Sequence, residues 1–128
     1  MPHQVLLLLA AVDALLAVAA GAFGAHALKG IFNDYQMGIF HTAVEYQMWH
    51  ALGLGLIAVI VGQIPNPRKL ILAGWIMQAG IVLFSGSLYA LALTGIKALG
   101  LITPAGGVAF LVAWGFLIVE IRANCSVK

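Results

Sequence analysis

The sequence predicts an all-α, integral membrane, up-down four-helix bundle. Hydrophobic residues fill 63% and charged residues 8% of the 128 positions, and the mean hydropathy is +1.08, a composition outside that of water-soluble domains. Four apolar runs, 5–28, 42–64, 70–94 and 104–121, each approach the roughly 20 residues that cross a roughly 30 Å hydrocarbon layer as a helix. They take up nearly the whole chain, so the connections are short and successive helices run antiparallel. The expectation is a single transmembrane domain over residues 1–128.

Val5 to Leu28 forms the first span. It superficially resembles a secretory signal, but only His3 precedes the run where a basic region is needed, and Asp13 interrupts it; it is read as a retained membrane helix. Lys29 and Gly30 end it with a cation and a permissive residue. Ile31 to His41, which contains Asn33, Asp34 and Gly38, reads as a connection with an interfacial turn. The second span, Thr42 to Ile64, stops at Pro65-Asn66-Pro67, which forbids helix continuation. Leu70 to Thr94 is the third. Thr103 and Pro104 read as the N-cap and first helical residue of the fourth, which runs to Ile121.

Several function classes find no support. Six Lys and Arg residues are scattered singly and make no patch to follow phosphates, so nucleic acid is not an expected partner. The glycine-rich stretches GAFGA, FSGS and AGG follow no strand and precede no Gly-Lys-Ser/Thr, so they are close-packing devices. Ser85 and Ser87 have no base nearby in sequence, and no nucleophile elbow occurs. The lone Cys125 has no intramolecular disulfide partner. Metal ligation needs spacing that is missing here: His26 lies away from the Asp13 face, and His41 and His50 diverge on helix two. No catalytic residue, metal or cofactor is expected.

Polar residues inside the spans carry what remains. At about 100° per residue, Asp13 shares a face with Ala10, Ala17, Ala20, Gly21 and Gly24, a small-residue stripe that suits close helix approach. It lies about 12 Å inside the bilayer, where a lone carboxylate costs several kcal/mol and must be paired, solvated or protonated. The segment HTAVEYQMWH divides by angle. His41 and Glu45 are i, i+4 partners near the outer interface, joined there by His26, whereas Tyr46, Gln47 and His50 turn inward. On helix three, Gln78, Ser85 and Tyr89 share a narrow sector. On ideal helices Asp13, His50, Gln78, Ser85 and Tyr89 line one internal polar column. Gly21, Gly24, Gly86, Gly106 and Gly107 are expected at helix contacts, and the glycine-rich faces of helices one and three suggest that these two pack closely. The bland reading of the column is interhelical hydrogen bonding alone, and for Asp13 a fixed packing role.

The strings GAFGAHALK (21–29), HTAVEYQMWHALGL (41–54), LFSGSLYALALTG (83–95) and LITPAGGVAFLVAWG (101–115) resemble the YgdD/YwdK-type family of small four-span inner-membrane proteins. The likeness runs in order over nearly the whole chain. It covers Gly21, Gly24, His26, Glu45, Tyr46, Gln47, His50, Ser85, Gly86, Ser87, Tyr89, Thr103, Pro104, Gly106 and Gly107. It implies a bacterial inner-membrane protein of uncharacterised function, with relatives in animals, and transfers no catalytic residue. Asp13 lies outside those strings.

Orientation follows from the cations. Arg68, Lys69, Arg122 and Lys128 share the side of the termini, against Lys29 and Lys97 on the other, so both termini are expected in the cytoplasm. Two functional classes stand: a structural or accessory membrane subunit, and a proton- or ion-coupled small-solute transporter acting as a homo-oligomer, with Asp13 as titrating acid and His50 as relay. The lipid bilayer, a second copy or a membrane-protein partner are the expected associates.

Overall fold

The computed structural model describes residues 1–125; Lys128, counted among the orienting cations, and the Cys125 side chain lie outside the described residues. Among the described residues the architecture is all-α. Helix α1 spans Pro2–Leu28, α2 Asp34–Val61, α3 Arg68–Thr94 and α4 Thr103–Cys125. Each is long and apolar enough to cross a membrane.

Local chemistry explains where the helices begin and end. The second begins at Asp34, eight residues ahead of the expected Thr42, because Asn33 and Gln36 form a capping box: the Asn33 side chain accepts from the Gln36 amide at 2.8 Å, and Gln36 Oε1 accepts from the Asn33 amide at 3.1 Å. The expected connection Ile31 to His41 is therefore mostly helix. Helix α3 stops at Gly95, whose φ of 71° is the left-handed conformation that closes a helix. A 3-10 turn at Lys97–Leu101 then leads into α4.

Helix α1 contains a π-helical turn at Ala20–Gly24. Such a turn inserts extra backbone into the ladder and rotates everything beyond it, so the ideal wheel used for α1 fails past Ala19. The glycines fit this segment to α2. A Cβ on Gly21 would come 3.1 Å from Val44 Cγ1, and one on Gly24 2.9 Å from Phe40 Cζ.

Helices α2 and α3 pack centrally, with α1 docked on α2 and α4 docked on α3. The expectation that glycine faces join α1 to α3 is corrected: Gly21 and Gly24 face α2, while Gly80 of α3 faces α4, where a Cβ would come 2.7 Å from the Phe110 ring. Contact between α1 and α3 is slight and includes Leu6 against Gly74. A Cβ on Gly106 would strike the Phe84 backbone, and one on Gly107 would come 3.8 Å from the Phe84 ring. Gly86 does not pack a helix; nothing lies within 4 Å of its Cβ position.

The main core gathers Leu6 and Ala10 of α1, Leu54 and Ile57 of α2, Leu70 and Met77 of α3, and Phe110 and Leu117 of α4. It joins all four helices toward the end that carries the N-terminus. Toward the other end the core thins to Ala43, Leu88 and Leu91, and α1 and α3 leave a space between them.

Candidate functional site

That space is a cavity of about 440 Å³, within the size range of small-molecule sites. Helix α1 contributes Asp13, Leu16 and Ala20, α2 contributes Phe40 and Gln47, and α3 contributes Ile81, Val82, Ser85, Gly86, Tyr89 and Leu93. Apolar side chains predominate. Phe40 and Tyr89 meet edge to face at 5.4 Å, which fixes the aromatic part of the wall.

The polar groups divide by whether they have partners. Tyr89 Oη donates to Gln47 Oε1 at 2.7 Å, and Ser85 Oγ donates to the Ala43 carbonyl at 2.7 Å. Both bonds tie α3 to α2. Deeper along the cavity, Asp13 is buried with 8% exposure, and the amides of Gln78 and Gln47 are turned toward its carboxyl. Even so, Asp13 Oδ2 and Gln78 Oε1 are both buried without a hydrogen-bond partner among the described residues. A buried polar group in that condition costs about 1–3 kcal/mol, and more when charged. At 1.5 Å per residue Asp13 lies about 16 Å along a helix about 40 Å long, near mid-depth.

Of the expected column, Asp13, Gln78, Ser85 and Tyr89 come to the side shared by α1, α2 and α3. His50 goes elsewhere. Its ring stacks on Phe110 with centroids 3.4 Å apart and on Tyr46 at 5.7 Å, and Tyr46 in turn lies against Phe84 at 4.4 Å. His50 Nδ1 lies 2.8 Å from the Tyr46 carbonyl; a carbonyl only accepts, so Nδ1 carries the proton. The single inward stripe Tyr46, Gln47, His50 is therefore two: Gln47 belongs to the cavity, while Tyr46 and His50 belong to an aromatic cluster against α4. Gln47, absent from the expected column, sits at i+7 from Phe40, and that spacing is the signal for the cavity face of α2.

The outer cluster is looser. His26, His41 and Glu45 are all exposed, and His41 meets only the edge of Phe40 at 6.4 Å among its aromatic contacts. Among the described residues no group of three His, Cys, Asp or Glu side chains comes together to hold a metal. At the α3–α4 contact, Ser87 Oγ donates to the Phe84 carbonyl at 2.9 Å and lies 2.7 Å from Thr103 Oγ1, so Thr103 donates to Ser87.

One buried acid escaped the sequence reading. Glu120 of α4 is 8% exposed and pairs with Lys69 Nζ at 3.4 Å. Its signal was available: an acid within the last turns of span four, on the same side as the Lys69 that follows the Pro-rich turn. Lys69's side chain is 65% exposed, so the pair contributes below about 1 kcal/mol; its effect is to let an acid sit at the end of an apolar core.

Comparison with known proteins gives a family. Residues 20–107 match the family described as "Protein of unknown function (DUF423)". The membrane protein YwdK of Bacillus subtilis is 50% identical over 116 residues, covering 91% of this chain and 94% of YwdK. The membrane protein SAB0533 of Staphylococcus aureus is 47% identical over 116 residues, covering 91% and 93%, and SH2409 of Staphylococcus haemolyticus is 46% identical over 117 residues, covering 91% and 94%. No solved structure matches. With four membrane-length helices and this extent of identity, the chain belongs to the DUF423 family of small multi-pass membrane proteins.

Proposed function

We propose that this protein is a small accessory membrane subunit built around an intramembrane binding site, with Asp13 as the group that holds the ligand. The observation that carries the reading is an acid at mid-depth, lining an open cavity, with a buried carboxylate oxygen that no group among the described residues satisfies. Acids in membrane spans are expensive and mark ligand or ion pathways. An acid with a purely structural role is expected to be paired, as Glu120 is with Lys69.

The reading extends to location. The protein resides in the bacterial inner membrane with both termini in the cytoplasm, following Arg68, Lys69 and Arg122 on the terminal side against Lys29 and Lys97. A reporter fused after Lys128 that works only outside the cytoplasm would refute this.

A second reading, coupled transport of a small solute, is favoured by the depth of Asp13. His50 does not line the cavity; its ring lies against Phe110 instead. The cavity opens sideways, so a second copy or a membrane partner must complete any path across the bilayer.

Native mass spectrometry from a mild detergent tests the binding role. The expected result is a small-molecule mass retained by the parent protein and lost from Asp13→Asn, alongside the copy number and any partner subunit. Identical adduct-free spectra for both would refute it. Proton flux in liposomes that is equal for parent and Asp13→Asn would remove the transport version.

A further inference from the structure

The ligand's chemical class can be drawn from the same cavity. Resting on the binding role above, the geometry points to a protonated, lipid-soluble amine that enters from the bilayer between α1 and α3 and donates its N–H groups to Asp13.

Three observations converge on it. The first is the sign of what is unsatisfied. The hydroxyl protons of Tyr89 and Ser85 are committed to Gln47 and to the Ala43 carbonyl, whereas Asp13 Oδ2 and Gln78 Oε1 are buried acceptors without donors. Of these two, Asp13 is the one that lines the cavity, and the complement of a buried carboxylate with an unsatisfied oxygen is a cationic hydrogen-bond donor; an anion or an acceptor-only solute leaves it unsatisfied. Size is the second. About 440 Å³ far exceeds a bare cation, and the apolar walls, which include the Phe40 and Tyr89 rings, match a hydrocarbon body. The third is access. The rim residues Leu16, Val82 and Leu93 are 52%, 61% and 64% exposed and lie within spans, so the mouth faces hydrocarbon. A solute that dissolves in the bilayer reaches it; a strongly hydrated one does not. Gly86 keeps the mouth open, since its Cβ position meets nothing within 4 Å.

The test uses the full chain in phosphatidylcholine nanodiscs, whose lipid amine has no N–H. Binding of radiolabelled 3-phenylpropylamine is measured and competed by 3-phenylpropanol and by 3-phenylpropyltrimethylammonium. The parent protein is expected to bind the primary amine about tenfold or more tightly than the alcohol, the ratio expected of a charge-assisted hydrogen bond, and more tightly than the quaternary analogue. Asp13→Asn is expected to erase the preference for the amine. Gly86→Leu, which leaves Asp13 untouched and adds a better helix former, is expected to block all three probes, so the test survives a poorly folding Asp13 variant. Equal affinity for amine and alcohol overturns the amine assignment while leaving a binding cavity in place. Equal affinity for the quaternary analogue overturns the N–H contact, and amine binding unchanged in both variants places the probe in the bilayer and overturns the site. An unidentified mass retained by the parent and lost in Asp13→Asn, with none of the probes bound, overturns the amine alone; loss of both results overturns the binding role as well.

Discussion

Replacing Gly106 and Gly86 by alanine, one at a time, separates two glycines that look alike in FSGS and PAGG. A methyl group at Gly106 would sit 2.5 Å from the Phe84 amide nitrogen and 2.8 Å from its Cα and Cβ. These are backbone and near-backbone atoms of α3, so no rotamer change relieves the overlap, and α3 and α4 must separate by several tenths of an ångström or more. Overpacking of this kind costs about 1–3 kcal/mol, with the upper end expected where backbone is struck. Removing a helical glycine returns at most about 1 kcal/mol, and less in the first turn of α4, giving a net loss of about 1–2 kcal/mol. At Gly86 the methyl meets nothing within 4 Å, so only the helix-propensity gain remains, about 0.5–1 kcal/mol of stabilisation. The difference between the variants is about 1.5–3 kcal/mol. Reversible unfolding in mixed micelles with a rising fraction of sodium dodecyl sulfate, followed by circular dichroism, measures both. Gly106→Ala matching the parent in stability, or Gly86→Ala proving as damaging as Gly106→Ala, would refute the assigned helix contacts.

Three smaller changes test other joints. Ser85→Ala removes the bond to the Ala43 carbonyl at 2.7 Å and is expected to cost about 0.6 kcal/mol and no more than about 1.7; a loss several times larger in the same titration contradicts a single interhelical bond. Asn33→Ala removes the α2 cap, at a cost of about 1 kcal/mol, and hydrogen exchange should quicken at the amides of residues 34–37 with little change beyond; uniform exchange along α2 would contradict the cap. Lys69→Met breaks the pair with Glu120 but leaves an apolar stem in place, so stability should fall by less than about 1 kcal/mol. A larger loss means that the Glu120 charge depends on Lys69 more than its 65% exposure allows.

Membrane-scale features were legible in the chain because they depend on composition and run length. The Pro65-Asn66-Pro67 stop precedes a helix that starts at Arg68, and Pro104 stands in the first turn of α4. The start of α2 was misplaced although its signal was present. Asn33 and Gln36 have capping-box spacing, but the apolar count that marked the span began only at Thr42, and polar residues ahead of it hid a helix that extends toward the interface. Asp13 was legible as a candidate from its isolation in an apolar run. Glu120 was missed because its run was read as uniformly apolar.

Sequence alone determined the membrane class, the four antiparallel helices and the depth of Asp13, since hydropathy, chain stops and helical rise are properties of one segment at a time. Tertiary structure decided which faces meet. The π turn at Ala20–Gly24 rotates the end of α1 so that its glycines seat Val44 and Phe40 of α2, α4 claims Gly80, and α1 and α3 are left apart. The same docking turns Gln47 toward Asp13 and His50 toward Phe110, although they lie three residues apart on one helix. A helical wheel gives the angle between two side chains; which neighbour occupies each direction is set by where close packing against the other helices is best satisfied, and that choice created the cavity.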